Sequence, residues 1–216
     1  YQSKERDVLL HDLIYCYKLQ VPCHTFSHLC KMLKSTSAII VSIGDELLIG
    51  QTINTNAGWM GEHLNAAGIA IHQVITIADE ERDILDAIDD ALSRCDVVLM
   101  TGGLGPTKDD ITKNTLCKYF DTKLVMDERT LQRIEGFAER RGMTLLEVHR
   151  MQAMVPEVCT VLPNLKGTAC GMWFEKKGKV LVSMPGVPYE MKGIMTEQVI
   201  PKIAETFPTQ SIVHRT

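Results

Sequence analysis

The sequence has no apolar run long enough to span a membrane; the stretch that comes nearest, Ala38 to Ile43, is strand-sized. Its N-terminal residues lack the basic, then apolar, then small order of a secretory signal. It has no surplus of positive charge: 23 Lys and Arg face 27 Asp and Glu, a net charge of −4, which excludes a broad electrostatic grip on nucleic acid. It also lacks an even, closely spaced set of cysteines. Seven are scattered along a chain of ordinary core composition, which excludes a disulfide framework and fits a reducing, cytoplasmic setting. Cys95, Cys117 and Cys159 stand beside apolar residues and read as small core fillers. What remains is a chain with the apolar and charged fractions of a globular domain, 45% and 23%, and long enough to bury one good core.

Residues 1–36 differ from the rest: three of the seven cysteines, three of the seven histidines and three of the five tyrosines precede Met32. Val8, Leu9, Leu13 and Tyr17 recur at helical spacing, and Pro22 is a natural stop. Cys23, His24, His28 and Cys30 are zinc-ligand residue types, but their spacing matches no zinc-site pattern. The segment is expected to be an extension outside the core, with Met32 a candidate start of a shorter chain.

From Ser37 the pattern becomes regular. Continuous β-branched runs at Ala38 to Ile43 and Asp96 to Thr101 read as strands buried on both faces, with another strand at Ile69 to Ile77. Helices are expected at Asn54 to Ala67, Glu80 to Arg94, Asp110 to Phe120, Asp127 to Arg141, Thr144 to Met154 and Pro188 to Thr206. Asn54 is the cap of the first and Gly68 its stop. Met172 to Glu175 and Lys179 to Met184 form a hairpin turning at Lys177-Gly178. Alternating strands and helices predict a three-layer α/β/α sandwich on a mostly parallel sheet, spanning 37–206 and followed by a tail at 207–216. Such sheets bind ligands at the carboxyl ends of their strands, near a switch point. That rule selects Gly44 to Gln51, Thr101 to Thr112 and Pro185 to Glu190.

In the first of these loops Asp45 and Glu46 follow a buried strand directly. Only one of two adjacent acids is expected to point into a site, as a partner of a metal or a ribose hydroxyl; a turn with two solvated acids fits equally. Gly44 and Gly50 permit close backbone approach to a ligand. In the second loop Gly102, Gly103 and Gly105 free the backbone to aim N–H groups at an anion, and the following helix adds its positive end. Thr101, Thr107 and Thr112 supply hydroxyls, and Asp109 and Asp110 could hold a divalent ion against a diphosphate. The Gly-Lys-Ser/Thr ending of a Walker loop is absent. An ordinary strand-to-helix turn capped by an acid would not need three glycines, a proline and two acids together. In the third loop Pro188 suits a first helical turn. Glu190 could reach a metal from there or merely satisfy the helix end.

Together, "SIGDELLIGQTINTN", "TGGLGPTKDDIT" and "MPGVPYEMK" closely resemble the N-terminal domain of CinA (competence/damage-inducible) proteins, part of the molybdopterin-binding superfamily. The resemblance runs from about Ser37 to Ile203. It implies a nucleotide or pterin phosphate site and metal-dependent ADP-ribose pyrophosphatase chemistry. It also implies a linking domain and a nicotinamide-mononucleotide deamidase domain in longer members, neither expected in this chain. Two positions depart from the family pattern. Cys170 stands where a proline is usual in Thr168-Ala169-Cys170-Gly171, and His149 stands where an asparagine is usual beside Arg150.

On this resemblance Asp45, Asp110 and Glu190 are the expected catalytic residues, with Asp45, Asp109 and Asp110 holding a divalent metal such as Mg2+. Gly44, Asn56, Thr101, Gly102, Gly103, Gly105, Thr107, Thr112, Pro185 and Gly186 are the expected nucleotide site. The expected partner is a small nucleotide or pterin, on a homo-oligomer, with no nucleic acid or membrane. Two other functions stay open: a molybdopterin-binding or adenylylating protein of molybdenum cofactor synthesis, and a non-catalytic nucleotide-binding module.

Overall fold

A computed structural model of the chain describes residues 36–105, 111–140, 142, 144 and 146–207. All lie in one compact unit that starts at Thr36. The Cys23 to Cys30 cluster, the helix expected near 4–20, the tail beyond Phe207, and Thr107, Asp109 and Asp110 lie outside the described residues.

Strand β1 (Ser37–Ile43) is buried along nearly its whole length. Its parallel neighbours are β2 (Ala70–Ile77) on one side and β3 (Val97–Thr101) on the other. Strand β8 (Lys179–Met184) runs parallel to β3, and β7 (Gly171–Lys176) and β6 (Thr160–Leu162) complete the sheet antiparallel to their neighbours. The order is therefore β2-β1-β3-β8-β7-β6. The chain leaves β1 first for one side and then for the other, so the switch point lies at the carboxyl ends of β1 and β3.

Alternate residues of each strand feed two separate apolar layers. Ala38, Ile40 and Leu99 pack with helix α2 (Thr55–Ala66) and the C-terminal helices. Ile39, Val41 and Met100 pack with α3 (Glu81–Arg94), through Ile84, Ile88 and Leu92 of its apolar stripe. Each fully covered Ile, Val, Leu or Met side chain among these contributes about 1.5–3 kcal/mol of burial. The C-terminal helix is α7 (Pro188–Ile194), which passes through a π-helical turn at Met195–Val199 into α8 (Ile200–Thr206) without a break. Asn54 caps α2 as expected, its Oδ1 accepting the Ala57 N–H at 3.1 Å, and Gly68 ends the turn beyond it with φ of 78°.

The stretch expected to be helical from Thr144 to Met154 is a correction. Only α6, Glu147–Met151, is helical; Met154–Pro156 is strand β5, antiparallel to β4 (Leu124–Met126) in a second, two-stranded sheet. Pro156 forces Val155 into extended backbone. Lys113, in α4 (Thr112–Tyr119), donates to the carbonyls of Gln152 and Met154 at 2.9 and 2.8 Å and holds the chain out of the helix. Helix α5 occupies Glu128–Arg140. The short α1, Asp45–Leu48, and the strands β4, β5 and β6 carry no period long enough to read from sequence. No helix among the described residues is long and apolar enough to cross a membrane.

Candidate functional site

The carboxyl ends of the four parallel strands open into one cleft of about 560 Å³. The loop after β1 supplies Gly44 to Leu47, the loop after β2 supplies Asp79, the loop after β3 supplies Gly102 to Gly105, and the loop after β8 supplies Gly186 to Pro188. Helix α2 points its N-terminal turn, Asn54 to Asn56, into the same space. In that turn Thr55 N–H donates to Ile53 O and Ala57 N–H to the Asn54 cap, so the Asn56 N–H and the positive end of the helix are what the cleft offers an anion.

The glycines of the β3 loop have steric causes. A Cβ on Gly102 would overlap the Ile43 carbonyl, and its φ of 112° is closed to other residues. Its N–H donates to Met184 O at 3.1 Å, so this residue seats the loop where β1, β3 and β8 end together. Gly103 has φ of 62°, and a Cβ there would collide with the Thr112 hydroxyl. Thr112 is fully buried behind it, and its Oγ1 has no hydrogen-bond partner among the described residues.

Asn56 knits the cleft wall. Its Nδ2 donates to Gly186 O at 2.8 Å and to Thr101 Oγ1 at 3.3 Å, while Thr101 Oγ1 donates to Pro185 O at 3.0 Å. The Gly186 carbonyl can only accept, which fixes the end of the amide that is nitrogen. Thr101, Pro185 and Thr112 are buried, and Pro185 and Thr112 stand behind the cleft surface rather than on it.

Asp45 and Glu46 both line the cleft, which corrects the expectation that only one of them could. They lie in the helical turn of α1, where successive side chains diverge by about 100° and not by the half-turn of extended chain. Asp79 is the residue that sequence reasoning missed. The Asp45 N–H donates to Asp79 Oδ2 at 3.3 Å and the Asp79 N–H to Asp45 Oδ1 at 3.4 Å, a reciprocal clasp between the β1 and β2 loops. Asp79 carries no local signal, because its place depends on β2 lying beside β1.

Glu190 is not brought to this cleft. It is 8% exposed and accepts from Asn164 Nδ2 at 2.6 Å, and burial pushes its carboxyl above the usual range, partly offset by that bond. His149 and Arg150 are likewise absent from the cleft lining. His149 Nδ1 accepts the Leu146 N–H at 3.1 Å, and Arg150 lies 3.9 Å from Glu135 on the surface. The helix expected from Asp110 begins at Thr112, with Ile111 at the cap position and no side-chain cap bond. No three of His, Cys, Asp and Glu gather as a metal cage among the described residues.

The thiols read as core fillers are that. Cys95 is 1% exposed and donates to Ala91 O and Val97 O, Cys117 is buried, and Cys159 packs at the edge of the α3-side core. Trp173 is buried in the core, and Trp59 stacks on His63 beside it.

Residues 39–205 match the family model described as "Probable molybdopterin binding domain". A CinA-like protein of Flavobacterium psychrophilum is 45% identical over 183 residues, covering 83% of this chain and 43% of the relative. A putative competence-damage inducible protein of Caldicellulosiruptor saccharolyticus is 41% identical over 178 residues, again 43% of its length. The chain thus spans less than half of these relatives. Among solved structures, a CinA protein from Thermoplasma acidophilum superposes with a TM-score of 0.69 at 32% identity, over 77% of this chain and 98% of that one. A molybdenum cofactor biosynthesis protein B superposes with a TM-score of 0.54 at 20% identity, over 81% and 94%, a likeness of fold.

Proposed function

The chain belongs to the probable molybdopterin binding domain family, and from that premise we propose that its cleft seats the diphosphate of a nucleotide such as ADP-ribose and hydrolyses it with the help of a divalent metal. One observation carries the reading: the glycine backbone at 102–105 and the carboxylates of Asp45, Glu46 and Asp79 line the same cleft. Anion-seeking N–H groups and carboxylates in one space oppose each other unless a cation stands between the acids and the anion. The donors are hard oxygens, which suits Mg2+, an ion that keeps several waters and takes only one or two carboxylates. Asp45 and Asp79 would hold it, with Asp109 and Asp110 from the neighbouring loop. When bound, the metal polarises the phosphoryl oxygens and makes its water a better nucleophile.

The chain's own groups do the rest. The N–H groups of Gly103 and Gly105, on a loop that the Gly102 N–H seats against Met184 O, and the Asn56 N–H of α2 hold the phosphates, with Thr107. Gly44 and Gly186 let the ligand approach the backbone. Asp45 would orient the attacking water and Asp110 would take its proton. Its oxygen bonds to one phosphorus as the bridging P–O bond breaks, which leaves AMP and ribose 5-phosphate.

A second reading has the family description itself in its favour: a molybdopterin monophosphate would use the same phosphate floor for binding or adenylylation. The test is incubation with ADP-ribose and with molybdopterin, with and without Mg2+, followed by chromatography for AMP. Metal-dependent AMP release from ADP-ribose supports hydrolysis. Tight molybdopterin binding without AMP release from ADP-ribose overturns it, and binding of ADP-ribose without turnover leaves a nucleotide-binding module.

A further inference from the structure

We infer that Glu190 is a positioning residue: its buried carboxylate anchors the loop between β6 and β7 to the first turn of α7 and so fixes the cleft wall at 186–188. The inference rests on the reading of the cleft as the ligand site. Three contacts converge on this anchor. Asn164, 2% exposed, spends its whole amide on the loop and on Glu190: Oδ1 accepts the N–H groups of Lys166 and Gly167 at 2.9 and 3.1 Å, and Nδ2 donates to Ala169 O at 2.8 Å and to Glu190 Oε2 at 2.6 Å. Gly167 lies so close on the carboxylate that a Cβ there would overlap it. The Lys166 side chain crosses α7 at Gly193, where a Cβ would stand 3.3 Å from it.

The cleft feels this anchor through one turn of helix. Val187, at the N-cap of α7, lines the cleft, and its carbonyl accepts from the N–H groups of Glu190 at 3.1 Å and Met191 at 3.0 Å. Gly186, the next residue back, holds Asn56 of the opposite wall through its carbonyl. A covered carboxylate with these partners has no face for a cleft metal, which removes Glu190 from the ligand set that its sequence context suggested. The same anchor also fixes the loop at Cys170. Asn164 pins Ala169 from its side chain, where a proline would have pinned the backbone by its ring.

Three variants separate positioning from metal binding: Glu190→Gln, Glu190→Ala and Asn164→Ala. Two readouts are used: hydrogen exchange of the Glu190 and Met191 amides without ligand, and titration calorimetry with Mg2+ alone and with ADP-ribose. A glutamine still accepts from Asn164, so Glu190→Gln keeps amide protection and Mg2+ affinity within about threefold. Glu190→Ala and Asn164→Ala leave buried groups unpaired, and both speed exchange at 190–191 and weaken ADP-ribose binding by about tenfold, with Mg2+ affinity unchanged. If Glu190→Gln loses Mg2+ affinity while Asn164→Ala binds normally, Glu190 is a metal ligand and the inference fails. Unchanged exchange in Asn164→Ala also overturns it. If the wild-type protein does not bind ADP-ribose at all, the reading of the cleft fails, while the exchange data still decide the anchor.

Discussion

Replacing Gly103 by alanine tests the phosphate loop at its tightest point. The residue sits at φ of 62°, where a side chain costs about 1–2 kcal/mol. The new methyl would also run into the Thr112 hydroxyl and stand 3.2 Å from Thr112 Cβ. Thr112 cannot swing away, because it is fully buried at the start of α4, so the loop must move instead. Overpacking of this kind costs about 1–3 kcal/mol. The sum, about 2–5 kcal/mol, is less than the 5–15 kcal/mol that typically holds a domain together, and the variant is expected to fold with a lowered urea midpoint. The displaced loop no longer aims its N–H groups at one point, so ADP-ribose affinity by calorimetry is expected to fall at least about tenfold. Adding Thr112→Ala removes the collision but not the backbone strain, and recovers part of the stability. The control is Gly58→Ala in α2, where a Cβ meets nothing within 4 Å. It should stabilise by about 0.5–1 kcal/mol and leave affinity alone. Wild-type affinity in a folded Gly103→Ala would show that no ligand sits on this loop.

Three further outcomes follow from particular side chains. Asp79→Asn keeps an acceptor for the Asp45 N–H but loses its charge, so it should weaken Mg2+ binding about tenfold with little change in melting temperature; equal Mg2+ affinity would remove Asp79 from the metal site. Thr112→Val keeps the shape and deletes a buried hydroxyl that has no partner among the described residues, so it should be neutral or raise stability by about 1 kcal/mol; a loss of stability in urea melts would show that the hydroxyl is satisfied in solution. Burial, with Cys170 beside it, pushes the Cys159 thiol up to about 12 from 9.0. The neutral thiol therefore contributes stability below pH 9.0 that is lost as pH rises toward about 12. Iodoacetamide at pH 8 should label Cys159 far more slowly in the folded protein than in urea, read by peptide mass spectrometry, and equal rates would contradict the burial.

What could be read from sequence was whatever repeats within one element or stands beside it. The double-faced strands at Ile39 to Val41 and Val97 to Met100, the stripe of α3 and the Asn54 cap are local patterns, and each forms where its pattern lies. So did the three loops, because a parallel sheet must present its carboxyl ends together. What escaped depends on neighbours distant in sequence. Strand β5 exists because Lys113 takes the carbonyls that would have continued a helix. Asp79 reaches the cleft only because β2 pairs with β1, which brings it to Asp45 across 34 positions. Glu190 fails to reach the cleft for the same kind of reason: its first-turn position resembles that of a ligand, but Asn164, 26 residues earlier, folds back and covers it. A carboxylate at a helix start has two physical uses, one facing a ligand and one holding a loop, and the two share a sequence signature. Only the surroundings divide them. Asp45 and Asp79 line an open cleft among backbone donors, where charge is useful. Glu190 stands under a glycine with an amide on one oxygen, where charge is penalised and only an acceptor is needed. Exchanging carboxylate for amide should therefore harm the first two positions and spare the third.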